Sequence, residues 1–234
     1  MIMSNDVNIS AQTIEVLQSF EMIRSSIMFR KGNFLNTSVL GMSTIAEYQC
    51  EETFPETFGI YELGQFLKGL SLFSKPTLSF DGDNYLTIQN SSGRERSAKY
   101  FYTPIEMVED ASPQNKLKFP EEDVVVNFNL SEADISALWK ASSVYDIKDV
   151  EIAADEDEQV VRINLWDEDN DTANTFSVVV FADVSRTHSV HMKVSSLLCL
   201  LRGDYRVSIT DGIITRWKKS DLDLVYYISI EDDE

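Results

Sequence analysis

The sequence is short of the residues on which most enzymes and metal sites depend. Among its 234 residues there are only two histidines, His188 and His191, and two cysteines, Cys50 and Cys199. With Cys199, the histidines offer at best three loosely spaced ligands and lack the paired spacing of a structural zinc site. They read as surface histidines. The cysteines are far apart, in apolar surroundings, and read as reduced thiols of a cytosolic protein rather than a disulfide framework. No run approaches the roughly 18 apolar residues of a membrane span, and the N-terminus has no basic region followed by an apolar core. The expectation is a soluble, unexported protein that needs no metal or cofactor and meets no membrane.

Positive charge is scarce as well: 20 Lys plus Arg face 39 Asp plus Glu, a net charge of −19. Phosphate binding normally shows as a basic excess, so the bulk charge argues against a nucleic-acid partner. On charge alone the chain fits an acidic adaptor or DNA mimic that binds a basic protein. The acidity is concentrated, however. Residues 121–185 hold 17 acids against three bases, a balance of −14, which leaves −5 for everything else; Glu231, Asp232, Asp233 and Glu234 form a further cluster. A chain this acidic can still present a local basic surface.

Signatures of chemistry fail where they begin. Gly59, Gly64 and Gly69 recur at five-residue spacing, but a phosphate loop needs Gly-Lys-Ser or Gly-Lys-Thr, and Gly64 is followed by Gln65 and Phe66. Close packing on a sheet, or approach to DNA, is left to explain them. Asp167, Asp169 and Asp171 resemble the start of a calcium loop, yet Thr172 stands at the glycine position and Val178 at the final glutamate position, which leaves a solvated turn. No two carboxylates are brought together by spacing as an acid/base pair. The chain reads as a non-enzyme.

What is present is a foldable chain, 43% hydrophobic and 11% aromatic, long enough for one large domain or two ordinary ones. Four segments have helical periodicity. The first spans residues 10–23, with Ser10 as N-cap and Ile14, Leu17 and Phe20 as its stripe. The second spans residues 61–73, with Leu63, Phe66, Leu67 and Leu70 on one face. The third begins at Ser131 and buries Ile135, Leu138 and Ser142. The fourth spans residues 194–201, with Leu197, Leu198 and Leu201 inward. Strand-like runs follow each helix. Turn chemistry at residues 30–33 and 81–84 predicts two hairpins, and residues 205–230 read as a closing meander. Helix, strands, helix, strands therefore occurs twice, an internal duplication of architecture. Proline and polar residues across Met107–Pro120 mark the break. We expect an N-terminal domain over 1–110, a connector over 111–120 and a C-terminal domain over 121–234. Both are α+β, with few helices on one face of each sheet.

The stretches SSIMFRKGNFLNTSVLGMSTIAEY and FGIYELGQFLKGLSLF, the linker NKLKFP, the helix SEADISALWKASS, and GDYRVSI with LVYYISIE near the end together resemble the replication sliding clamps of T-even-type bacteriophages. The matches run in order over almost the whole chain. The acid-rich residues 155–158 and 167–171 depart from the family. The resemblance implies two similar clamp-type domains, three chains closing head to tail into a homotrimeric ring around duplex DNA, helices lining the hole and β-sheets forming the outer layer. It implies a processivity factor for the replicative DNA polymerase, opened by an ATP-dependent clamp loader and also engaged by late transcription factors, in the cytoplasm of an infected bacterium.

A ring that slides must touch DNA weakly, which suits a few spaced cations. The candidates are Arg24, Lys31, Lys68, Lys75, Lys140, Lys193 and Arg202, near or on the four helices; the alternative for each is an ordinary solvated surface. A partner peptide is expected in an apolar groove by the connector. There Ile105, Val108, Leu117 and Phe119, with Tyr226 and Tyr227 from the last strand, are the candidates, and core packing is the alternative.

Overall fold

The computed structural model describes residues 6–39, 43–90, 93–108, 116–167, 169–170, 172–212 and 214–230. Residues 111–115 of the expected connector, Asp171 of the acidic turn, Ile213 and the terminal Glu231–Glu234 cluster lie outside them.

In chain order the first repeat comprises β1 (Asp6–Asn8), α1 (Ala11–Ile23), β2 (Ile27–Phe29), β3 (Gly32–Ser38), β4 (Thr44–Phe54), β5 (Phe58–Ile60), α2 (Leu63–Leu70), β6 (Pro76–Ser79), β7 (Tyr85–Asn90) and β8 (Gly93–Phe101). The second comprises β9 (Val124–Leu130), α3 (Glu132–Tyr145), β10 (Asp149–Asp155), β11 (Val160–Trp166), β12 (Phe176–Val184), β13 (His188–Lys193), α4 (Val194–Leu198), β14 (Tyr205–Thr210), β15 (Ile214–Lys219) and β16 (Leu224–Ser229). Strand, helix, four strands, helix, three strands is thus written twice. By contacts the chain forms two compact units, one of Met1–Val39 with Ala46–Gln114 and one of Leu40–Ile45 with Asn115–Glu234.

In the first unit, α1 starts where Ser10 accepts a hydrogen bond from the Thr13 N–H, and it buries Thr13, Val16, Leu17 and Phe20 at helical spacing. Helix α2 buries Leu63, Phe66, Leu67 and Leu70 as expected, but stops at Leu70, three residues early, where tight 3₁₀-type bonds at Leu72 and Phe73 take over. Strands β1, β6, β7 and β8 form an antiparallel sheet in that order. The turn at residues 81–84 joins β6 to β7 as expected. The other expected hairpin, across residues 30–33, does not form: β2 pairs with β5, Met28 opposite Gly59, and β3 lies beside β4. Aromatic packing outweighs the local turn signal. The Phe29 ring stacks on Phe58 at 4.7 Å, with Phe54 and Phe66 edge-on to it, and this places β2 against β5.

In the second unit, Ser131 and Asp134 form a reciprocal capping box at the start of α3, and Asp146 ends the helix in the left-handed conformation. The inward face is Ile135, Leu138, Ala141 and Ser142. The sheet order is β13-β10-β11-β12-β9-β14-β15-β16. Strict alternation puts Val150, Ile152 and Ala154 of β10, and Val161, Ile163 and Leu165 of β11, on the buried face. Helix α3 covers β11 and β12. Strand β12 pairs with β11 through Phe176–Phe181, then hands Ala182, Asp183 and Val184 to β9. The predicted meander is present as β14, β15 and β16. Helix α4 is shorter than expected: Val194 and Leu197 are buried, whereas Leu198 is exposed and Leu201 lies in the following loop. Beside β16 runs the beginning of β4, with the Ser229 N–H donating to the Ser43 carbonyl at 2.9 Å.

Candidate functional site

Strand alternation separates the neighbours Tyr226 and Tyr227. On β15 and β16, Thr215, Trp217, Leu224, Tyr226 and Ile228 point into the core, while Tyr227 lies on the other face, opposite Arg216. There Tyr227 packs with Ile45 and Phe119 in a small apolar cluster, flanked by the half-buried Leu117, Val124, Ile214 and Val225. The Phe119 and Tyr227 rings are 6.0 Å apart. The guanidinium carbon of Arg216 lies 4.2 Å from the centre of the Phe119 ring, and Glu121 ion-pairs with that guanidinium. The hydrogen bond from Arg216 holds the Glu121 carboxyl below the usual carboxylate range. A polar row continues from Arg216 through Ser208, at 3.2 Å, to Asn127. The result is an apolar patch of a few large side chains, closed at one rim by a cation.

Of the six residues expected to form a partner groove, Leu117, Phe119 and Tyr227 are brought together. Tyr226 is turned the other way, its ring near Tyr205 and its hydroxyl accepting from the Leu201 N–H. Ile105 and Val108 belong to the first unit. Ile105 is exposed in a short 3₁₀ turn, and Val108 is buried where a side chain at Gly59 would stand 2.6 Å from it. Sequence reading missed Ile45, which reaches the cluster from the start of β4, and Arg216. Neither carries a local signal, since each acquires its role from a strand neighbour distant in sequence.

The cations divide in two. Arg24 is half-buried, with its guanidinium near Ser26 Oγ and donating toward the Ser38 carbonyl, and Lys193 is paired with Asp149 at 2.7 Å. Lys31, Lys68, Lys75, Lys140 and Arg202 are exposed, and their side chains have no hydrogen-bond or ion-pair partner among the described residues. Lys68 is in the last turn of α2, where it complements the helix dipole, and Lys140 is on the solvent side of α3.

The comparisons with known proteins agree with one another. The chain is 28% identical to the sliding clamp of Vibrio phage KVP40 over 227 residues, covering 96% of this chain and 99% of that one. It is 22% identical to the sliding clamp of Escherichia phage RB69, covering 97% and 98%. No protein-family model matches. The crystal structure of proliferating cellular nuclear antigen from Entamoeba histolytica superposes with a TM-score of 0.72 over 98% of this chain and 100% of that one, at 14% identity. The chain resembles the phage sliding clamps from end to end, and its α+β fold is the clamp fold.

Burial pushes the Cys50 and Cys199 thiols up to about 12, which keeps them protonated at neutral pH. His191 lies beside Trp166, with Nε2 3.8 Å from Glu151, and that carboxyl is held low first by Asn164. Three or more residues able to hold a metal do not converge anywhere among the described residues. The three spaced glycines separate: Gly59 makes room for Val108, Gly64 faces the Glu21 carboxylate of α1, and Gly69 lies near Ile88. Close packing, one of the two readings left open for them, therefore accounts for Gly59. No helix of the described residues is long and apolar enough to cross a membrane.

Proposed function

We propose that the chain is the subunit of a homotrimeric, non-catalytic ring that encircles duplex DNA and tethers the replicative polymerase to it. Beside the similarity to phage clamps, the observation that carries this reading is a pair of open strand edges. Strand β16, the last of the second repeat, is flanked by the start of β4, the fourth strand of the first repeat. The counterparts of these two strands are β8 and β12. Strand β8 ends its sheet, and the Phe176–Phe181 stretch of β12 is paired on one side only among the described residues. The duplicated order thus contains one joint of this kind made within the chain and the two halves of another left unmade. A second copy supplies the missing half, β8 of one subunit against β12 of the next. Such a head-to-tail contact runs on until it closes. Exposed Phe101 on β8, and Val179 and Phe181 on β12, give it apolar substance. Strand β8 carries Arg96 and Lys99, whereas β12 carries Asp183 and follows Asp167 and Asp169 in the chain, so the two edges are of opposite sign. With two units per chain, three chains make six.

In this ring Arg24, Lys31, Lys68, Lys75, Lys140, Lys193 and Arg202 are the proposed DNA-facing cations, the five unpaired ones contributing most. The cluster of Leu117, Phe119 and Tyr227 with Ile45 is the proposed seat of an apolar peptide from the polymerase. An ATP-dependent loader and late transcription factors are further proposed partners, in the cytoplasm of the infected host. Loading onto circular DNA followed by linearisation tests the reading: a topological clamp leaves through the free ends, whereas an ordinary binder stays. Native mass spectrometry decides the assembly. A trimer supports the ring, and a monomer at high concentration turns the reading toward an acidic adaptor.

A further inference from the structure

The loop after the second helix of each repeat is held through its backbone next to one outward-pointing cation. In the second repeat that cation is Arg202. The residue before it, Leu201, is gripped at both backbone atoms: its N–H donates to the Tyr226 hydroxyl at 3.1 Å, and its carbonyl accepts from the Tyr205 hydroxyl at 2.5 Å. Both tyrosines are fully buried in the sheet. The residue after it, Gly203, has φ +140, which reserves the position for glycine, and a Cβ there would stand 2.1 Å from Lys219 Nζ, so Lys219 packs directly against it. Lys219 itself is only 5% exposed, an uncommon burial for lysine, and its ammonium pairs with Asp221. Next, Asp204 accepts from the Ser220 N–H through its carbonyl and from the Glu132 N–H through its carboxylate at 2.8 Å. Only the Arg202 side chain is left outside this lattice.

The first repeat does the same with other residues. After α2, Asn90 Oδ1 accepts from the Ser74 N–H at 3.1 Å and lies 3.5 Å from the Lys75 N–H, while the Lys75 side chain is exposed. Asn90 is the last residue of β7 and Lys219 the last of β15, equivalent places in the repeated order. Different chemistry at the same place, serving a loop that carries a cation in both repeats, points to a shared demand on that loop.

We propose that Tyr205, Tyr226 and Lys219 in one repeat, and Asn90 in the other, are positioning residues that mount Arg202 and Lys75 rigidly for contact with DNA phosphates. The inference rests on the DNA-facing reading of these two cations. A sliding contact gains from such mounts because each phosphate bond is brief, and a side chain carried on a pre-ordered backbone has only its own rotamers left to fix whenever a bond re-forms.

Duplex DNA affinity of the assembled full-length protein, measured by fluorescence anisotropy across a salt series, tests this with four proteins: wild type, Arg202→Ala, Tyr226→Phe and the double variant. Loss of Arg202 is expected to reduce the slope of log affinity against log salt by about 0.9 for each phosphate contact removed. Tyr226→Phe should weaken binding several-fold on the wild-type background and cause no further loss on the Arg202→Ala background. Asn90→Ala, paired in the same way with Lys75→Ala, is expected to repeat the pattern in the other unit. Equal losses from Tyr226→Phe on both backgrounds would assign the tyrosine to the fold and overturn the proposal, as would an unchanged affinity beside a clear effect of Arg202→Ala. No effect of Arg202→Ala would remove the DNA-facing reading of Arg202 itself, and with it the mount. Melting temperatures of the four proteins show whether any loss reflects unfolding.

Discussion

The guanidinium carbon of Arg216 lies over Phe119, 4.2 Å from the ring centre, and the residue that holds it there, Glu121, is two positions from that ring in sequence. The aromatic ring therefore joins the apolar cluster of Ile45 and Tyr227 to the cation at its rim. Phe119→Ala is expected to weaken the proposed binding of a polymerase-derived apolar peptide by about tenfold or more, the scale of a buried aromatic contact, while the proposed trimer persists. Titration calorimetry checks the first part and native mass spectrometry the second. Unchanged affinity removes Phe119 from the site.

Glu52 reaches from β4 to the start of α1, accepting from the Ser10 N–H and the Thr13 hydroxyl, both at 2.7 Å. Burial pushes its carboxyl upward, but these donors outweigh burial and leave it below the ordinary value. A depressed carboxyl stabilises the fold above its unfolded value of about 4.3, and the contribution fades as pH falls through the folded value. Glu52→Gln should lower the melting temperature at pH 7 by an amount equivalent to about 1.5–3 kcal/mol, the worth of hydrogen bonds to a charged group. The gap to wild type should narrow in acid. A gap that is constant between pH 7 and pH 3 speaks against the ionised carboxylate as its source.

Cys50 and Cys199 should resist thiol reagents. With both thiols near 12, about one in ten thousand is ionised at pH 8, and both are buried. Native protein mixed with a disulfide reagent is expected to release colour only as fast as it unfolds, and denatured protein at once. Rapid modification of either thiol in the native state contradicts the burial.

Phe181 is 89% exposed at the open edge of β12. Placing a charge there should cost the individual chain little and the assembly much. Phe181→Glu is expected to convert the proposed trimer to monomer at micromolar concentration, as read by light scattering, with the circular dichroism spectrum unchanged. A stable trimer carrying this substitution rules β12 out of the contact.

Elements whose cause is local were legible in the sequence. Ser10 and Ser131 announced their helices because a cap needs only the next three residues, and the alternation in β10 and β11 displayed the buried face directly. The pairing of β2 with β5 was not legible, since it depends on Phe29 meeting Phe58 across half a unit. The same limit applies to the candidate site. Phe119 and Tyr227 could be named because the connector and the last strand are recognisable, but Tyr226 was named beside Tyr227 although strand alternation turns neighbours to opposite faces, and Ile45 and Arg216 become neighbours of Phe119 only once the sheet exists. For Lys68 and Lys140, exposure followed from the helical wheel, whereas the ion pair of Lys193 with Asp149 required the register of β10 against β13.

The start of β4 lying against β16 has a consequence for how a ring of such chains would come apart. A joint whose two strands belong to one polypeptide meets its partner at an effective concentration fixed by the chain, on the order of millimolar for short flexible connections, however dilute the protein. The proposed joint between β8 and β12 would have only the bulk concentration to draw on. Six similar joints would then be of two kinds, three indifferent to dilution and three sensitive to it. Any agent that opens the ring would find its weakest places already chosen by where the backbone is continuous.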